Sequence, residues 1–204
     1  MKELSAISDI ADVFQGIARA GRGAGSRQGD WQLKIVESND VRDDKIDMDG
    51  LGEIEVAQNQ RTERHLIRPY DVLVTARAGN ANIGLVPSEI SRTVASVTML
   101  VVRPIDPASG MGHWLWYYLT SDFGRTQIAR RISSSATLKS LSAKSMAEIE
   151  VPVPTMRELN RIARLVEASE ATYHSAVEAA NIRRVIYRNA VVNAFELKAN
   201  KIAR

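Results

Sequence analysis

Val151-Pro-Val-Pro-Thr-Met-Arg-Glu158 divides the chain into two kinds of sequence. Each proline fixes its own φ and keeps the residue before it out of the helical region, so 151–154 reads as a stiff, extended connector. Thr155 and Glu158 then have the spacing of a capping box, in which hydroxyl and carboxylate satisfy free N–H groups at a helix start. Neither proline nor glycine occurs from Thr155 to Arg204, which predicts one helix of about 40–45 residues, ~60–68 Å long. Leu159, Ile162, Val166, Ser169, Tyr173, Ala176 and Ala180 step along it by alternating threes and fours, the pattern of a coiled-coil seam. Past Ala180 that register turns Arg183 inward, while Ile182, Val185, Ile186, Val192 and Phe195 mark a shifted stripe, so the seam rotates there. A helix with two such stripes is expected to pair with a helix of another chain. The competing expectation is that it folds back as one more core helix.

Upstream of the connector the pattern is β-rich. Trp31–Val36, Glu53–Ala57, Val72–Ala76, Ile83–Pro87 and Ala95–Val102 are short apolar runs bounded by Gly, Asn, Asp and Pro, and each predicts a strand. Their uneven spacing argues against a sandwich of repeated strands. Gly112–Ile132 has helical spacing, interrupted at Ser121 and Gly124, and is followed by a polar loop at Ser133–Ser142 and a short run at Ile149–Val153. The fold class expected is α+β: a mixed, β-rich domain over 1–154, then one long coiled-coil-forming helix over 155–204.

The 204 residues suffice for one ordinary domain plus an extended element. Apolar residues make up 45%, enough for a core. The net charge of +3 permits a nucleic-acid partner without demanding one. Its distribution says more. Residues 31–67 carry five basic and nine acidic groups, and 155–204 carry nine basic and five acidic. Between Phe14 and Gly29 stand Arg19, Arg22 and Arg27 with no acid. The absence of cysteine excludes disulfides, thiolate catalysis and thiolate-ligated zinc. No signal peptide or apolar run of spanning length is recognisable, so a soluble, cytoplasmic protein is expected.

Catalytic motifs are missing. His65, His113 and His174 have no metal-ligand spacing, and neither G-x-S-x-G nor H-E-x-x-H occurs. Gly79 and Gly84 have P-loop spacing, but Leu85 and Val86 stand where the lysine and hydroxyl would be. The acidic run Asp40–Asp49 misses the spacing of a calcium loop. No catalytic residue, metal site or cofactor is expected, and a nuclease with an unrecognised site is disfavoured for want of a metal–carboxylate–lysine set.

Several segments in order resemble the specificity subunit of type I restriction–modification systems. They are Ile10-Ala-Asp-Val-Phe-Gln-Gly16, Lys34-Ile-Val-Glu-Ser-Asn-Asp40, Pro69-Tyr-Asp-Val-Leu-Val-Thr-Ala-Arg-Ala-Gly79 and Asn82-Ile-Gly-Leu-Val86. Trp116-Tyr-Tyr-Leu-Thr-Ser121, Leu138-Lys-Ser-Leu-Ser142 and Glu148-Ile-Glu-Val-Pro-Val-Pro154 continue the series. One departure is that family members commonly carry Glu-Gln just inside the helix, where Glu158 is here followed by Leu159 and Asn160. The resemblance implies a non-catalytic target-recognition domain for half of a split double-stranded DNA site, followed by a spacer helix. It also implies a methyltransferase subunit and, in restricting systems, a restriction/translocase subunit as partners. Full-length members hold two such units in tandem. A single one implies a half-size subunit that forms a homodimer through its helix, or a fragment of a longer protein.

On that reading the DNA contacts lie in exposed polar loops. Arg pairs with guanine and Asn or Gln with adenine, each bidentate pair discriminating by ~1–3 kcal/mol. The candidates are Arg19, Arg22, Arg27 and Gln28 in one loop and Arg77, Asn80 and Asn82 in a second. Ser133, Ser134, Ser135, Thr137 and Lys139 form a third, suited to phosphate oxygens, with Arg130 and Arg131 beside it. Dimerisation is assigned to Leu159, Ile162, Val166, Tyr173, Ala176 and Ala180. Trp114, Trp116, Tyr117 and Tyr118 are expected in the core. The alternative function is a coiled-coil adaptor or oligomerisation protein whose β-rich domain binds protein.

Overall fold

A computed structural model describes residues 4–18, 30–76, 81–135 and 138–202. In chain order the elements are β1 (Leu4–Ala6), α1 (Ile7–Ile10), β2 (Ala11–Gln15), β3 (Asp30–Val36), β4 (Val41–Arg42), β5 (Lys45–Ile46) and β6 (Gly52–Ala57). They continue with α2 (Gln60–His65), β7 (Val72–Thr75), β8 (Ile83–Leu85), β9 (Thr93–Ala95) and β10 (Met99–Pro104). The helical part holds α3 (Met111–Thr120), α4 (Asp122–Arg131), the hairpin β11 (Ser133–Ser135) and β12 (Leu138–Ser140), α5 (Ala143–Ala147), β13 (Glu150–Pro152) and α6 (Met156–Ile202). The α+β class with a long C-terminal helix is the one the sequence predicts. Two units divide the chain, Met1–Ala163 and Arg164–Arg204.

The first unit is organised by a four-stranded sheet of order β2-β10-β7-β8, antiparallel throughout. Its middle strands are apolar on both faces. Val72, Val74, Leu100 and Val102 face one core with Leu115, Leu119, Ile128, Met146 and Ile149. Leu73, Met99 and Val101 face another with Val36, Val41, Ile67 and Val86. A strand buried on both sides reads as a continuous apolar run rather than an alternating one, which is why these segments stand out in the sequence. The second sheet, β6-β3-β9, alternates: Leu33, Ile35 and Ile54 are buried between exposed Gln32, Lys34, Glu53 and Glu55. β1 pairs antiparallel with β13, bringing the chain start beside the connector that leads into α6.

Two predicted elements divide. The run expected as one strand over 95–102 breaks at Ser96–Thr98 into β9 and β10, which belong to different sheets. The helical stretch over 112–132 divides at Ser121, the interruption its sequence predicts, and the Ser121 Oγ accepts the Gly124 N–H at 3.2 Å and caps α4. Ser121→Ala is expected to lower stability by ~1 kcal/mol, the usual loss for an N-cap, measurable by urea denaturation. The predicted polar loop at 133–142 contains the β11–β12 hairpin instead, with Ser134 opposite Lys139. A run of serines gives no apolar alternation by which to recognise strands.

The start of α6 is built as the spacing predicts. The Thr155 N–H donates to Glu158 Oε2 at 2.9 Å, and the Glu158 N–H reaches back to Thr155 Oγ1 at 3.4 Å. The compact first unit continues past Pro154 to Ala163, because Leu159 is only 2% exposed and packs in the larger core. Within the second unit, residues 171–193 are exposed on every face of the helix, among them Tyr173, Val177, Ile182, Val185, Ile186, Tyr187, Val191 and Val192. None of the helices, among the described residues, is long and apolar enough to cross a membrane.

Candidate nucleic-acid interface

One edge of the four-stranded sheet collects the ends of the segments expected to contact DNA. Antiparallel pairing places Gln15, the end of β2, opposite Leu100 at the start of β10, and Thr75, the end of β7, opposite Met99. β8 begins at Ile83 against Val74 on the same edge. Segment 19–29 follows β2 and segment 77–80 joins β7 to β8, so their flanks are neighbours although the sequence separates them widely.

Hydrogen bonds tie those flanks down. The Gly16 N–H donates to Met99 O at 3.0 Å and the Ile17 N–H to Ala95 O at 2.9 Å. Gln15 Nε2 donates to Val97 O at 2.7 Å. On the other side of the edge, the Ala76 N–H donates to Thr98 O at 2.8 Å, and Ala76 O accepts from the Leu141 N–H, just after the β11–β12 hairpin, at 2.9 Å. The downstream flank of 77–80 is held by Arg125, whose Nη1 donates to Ala81 O at 3.0 Å and whose Nη2 pairs with Asp44. The flanks of the first two segments, and Leu141 at the base of the hairpin that carries the third, are therefore held along one edge.

The individual residues fall into groups. Arg19, Arg22, Arg27, Gln28, Arg77, Asn80 and Thr137 lie outside the described residues, as do the side chains of Ser133, Ser134, Ser135 and Lys139. Asn82 is exposed, yet its Nδ2 donates to Val41 O at 2.9 Å and its N–H to Thr75 Oγ1 at 2.9 Å, so it also fastens the β7–β8 connection. Arg130 is exposed at the end of α4. Arg131 turns toward Glu148, giving Nη1 to its carboxylate and Nη2 to its carbonyl, both at 3.1 Å. Of the seam residues, Leu159 and Val166 are buried, Ile162 is half-buried, and Tyr173, Ala176 and Ala180 are exposed.

The aromatic cluster on α3 is largely core, as expected. Tyr118 is buried, and Trp114 and Trp116 are half-buried with their indole N–H groups on Pro152 O at 2.9 Å and Asp44 O at 3.0 Å. Tyr117 alone of the four is exposed. His113 is buried against Tyr70 and His65 lies edge-on to Phe14. Burial, with Arg61 and Arg103 nearby, lowers the pKa of His65 from its ordinary value and keeps the ring neutral. No group of three or more His, Asp or Glu residues suited to a metal occurs among the described residues.

Missed in the sequence are the polar residues of the turn between β9 and β10. Ser96 and Thr98 alternate with apolar neighbours as strand residues do, so nothing local marks the break. Also missed is a clamp at the opposite end of the same sheet, where β10 ends and β7 begins. Arg103 is 8% exposed, and its Nε and Nη2 donate to the Asp71 carboxylate at 2.7–3.2 Å. The same guanidinium reaches Leu66 O at 2.6 Å and Arg64 O at 3.1 Å and lies over the Phe14 ring. Burial pushes the Asp71 carboxyl above its ordinary value, while Arg103 and the Arg68 N–H pull it back.

Comparison with known proteins gives the following. No protein-family model matches the chain. The chain is similar to the type I restriction enzyme EcoBI specificity subunit of Escherichia coli, 24% identical over 135 residues, which are 66% of this chain and 28% of that one. Its fold is similar to a chain from a structure of the assembly and conformational transition of the type I R-M system (TM-score 0.57, 16% identity, 87% of this chain and 40% of that one). It is also similar to the HsdS subunit from Thermoanaerobacter tengcongensis (TM-score 0.51, 17% identity, 87% of this chain and 39% of that one). The chain thus spans less than half the length of the relatives it matches.

Proposed function

We infer that this chain, a relative of the specificity subunits of type I restriction enzymes, is a DNA sequence-recognition subunit that performs no chemistry itself. The observation that carries this reading is the convergence of the flanks of 19–29 and 77–80 on one sheet edge, with Leu141, at the base of the β11–β12 hairpin, bonded to Ala76 O beside them. Phosphate contacts would set the register of the duplex and base-edge contacts would set the sequence. The domain recognises half of a bipartite site and directs an adenine methyltransferase, and in a restricting system a nuclease/translocase, to it. Two copies joined through α6 would read a palindromic split site, because a two-fold axis in the protein imposes one on the DNA. The cytoplasm is where such a protein would work.

The test is a map of methyladenine across the genome of the source cell, with and without this gene. Loss of one split motif on deletion is expected, and an unchanged map would overturn the assignment in that cell. A second measurement separates it from the adaptor alternative, which the exposed apolar residues of α6 would also serve. Affinity of the full chain for a duplex is expected to fall by roughly 10²–10³ between 50 and 200 mM salt, as released counterions require. An adaptor that binds only protein would show no DNA affinity at either salt.

A further inference from the structure

The turn between β9 and β10 carries more than a change of sheet. The turn's Val97 O accepts from Gln15 Nε2, and the strand residues on either side of it, Met99 and Ala95, accept from the Gly16 and Ile17 N–H groups, all on the side of segment 19–29. Thr98 O accepts from the Ala76 N–H on the side of segment 77–80. The turn's side chains reach a third neighbour. Ser38 Oγ donates to Thr98 Oγ1 at 2.7 Å, and Ser96 Oγ lies 2.6 Å from the same atom. The Ser96 N–H donates to Val36 O at 2.9 Å, closing the link to the end of β3. Thr98 thus uses its carbonyl for the flank of segment 77–80 and its hydroxyl for Ser38, just past the end of β3. Ser96 is 7% exposed, and Ser38 and Thr98 are half-buried.

We propose that Thr98 is a positioning residue for sequence readout, its Ser38–Thr98–Ser96 hydroxyl network locking to the end of β3 the turn on which the flanks of two DNA-reading segments rest. The proposal rests on the DNA-recognition reading above and adds to it a residue that touches no base. Base discrimination depends on donor and acceptor placement to within about half an ångström, which requires the supporting shell to be locked. Two DNA-reading flanks and the end of β3, meeting at one short turn, share such a lock. Thr98→Val keeps the volume and removes the hydroxyl, leaving Ser38 and Ser96 without that partner. Thr98→Ser keeps the hydroxyl.

Two measurements on the full chain test this. The first is amide hydrogen exchange without DNA. In Thr98→Val the Ile17 and Ala76 amides are expected to exchange about 3–10 times faster, the loss of one hydrogen bond's worth of protection. The Val101 and Val102 amides keep their wild-type rates, and Thr98→Ser restores protection. Uniform acceleration across the sheet would mean a merely structural role and overturn the proposal. The second is selection of bound duplexes from a pool of randomised sequence. Thr98→Val is expected to select a degenerate version of the wild-type site, with affinity for one fixed non-site duplex unchanged within about twofold, since phosphate contacts carry that affinity. Should the wild type select a site and Thr98→Val select it equally sharply, the proposal fails and the function stands. Should the wild type bind no duplex, the functional reading fails and takes the proposal with it. If Thr98→Val does not fold, Ser38→Ala removes the same hydroxyl pair from its other side and is held to the same outcomes.

Discussion

Arg103→Met is expected to lower the unfolding free energy by about 3–5 kcal/mol, the loss typical when one partner of a buried ion pair is removed. The substitution keeps most of the side-chain volume, so the effect is electrostatic. Asp71, 1% exposed, would be left with the Arg68 N–H as its remaining described donor. The carbonyls of Leu66 and Arg64 would lose the same guanidinium. Urea denaturation at pH 7 measures the loss, and a value below 1 kcal/mol would show that the clamp is not needed. The pH dependence supplies a second check. Without Arg103 the Asp71 carboxyl rises further above its unfolded value, so the folded variant takes up a proton more readily than the unfolded chain. Stability of the variant relative to wild type therefore improves as pH falls from 7 toward the ordinary carboxylate range. Adding Asp71→Leu is expected to recover part of the loss, because the buried charge is gone while the two carbonyls remain unserved.

Gly16→Ala is expected to cost about 3–5 kcal/mol and, on the proposed function, to abolish DNA binding by releasing the flank of segment 19–29. A Cβ at Gly16 would lie 2.2 Å from Ser96 O and 2.3 Å from Ala95 O, and both neighbours are backbone. The requirement is close approach, since Gly16 does not sit at positive φ. To admit a methyl group, the end of β2 must lift from the turn, losing the bonds from Gly16 to Met99 and from Ile17 to Ala95. Overpacking of this kind costs ~1–3 kcal/mol, and each lost bond adds about 1. Gly50 makes the opposite case. It has φ +79° with nothing within 4 Å of its would-be Cβ, so Gly50→Ala is expected to cost ~1 kcal/mol through backbone conformation alone. Urea titration of the two variants, with duplex binding beside it, checks both values. Equal losses would show that the Gly16 contact relaxes without harm.

What could be read along the chain was what local chemistry decides. The capping box at Thr155 and Glu158 and the unbroken run of helix formers after it predict α6, and 47 residues form it. The runs at Val72 and Met99 declare buried strands, because a strand covered on both faces needs apolar residues throughout. The serine-rich hairpin was not legible, nor was α2, whose sequence Gln-Arg-Thr-Glu-Arg-His has no apolar face to display. Its start depends on Asn59 capping Thr62, a single polar contact with no periodic signature. Of the DNA-contact candidates, the sequence names Asn82 and Arg131 as polar residues in or beside the expected loops. It could not show that Asn82 is fastened to Val41 and Arg131 to Glu148, because both partners are distant in the chain.

By itself the sequence determined the class of the fold, the long C-terminal helix and the lack of catalytic motifs, since helix caps, periodicity and residue chemistry act within a few positions. Tertiary structure alone decided that β2 and β7 end where β10 begins, that Arg103 closes on Asp71, and that the turn at Ser96–Thr98 meets the segments flanking it. Those outcomes follow from strand order and register, which are fixed by burial of both sheet faces at once and by hydrogen bonds between residues far apart in the chain.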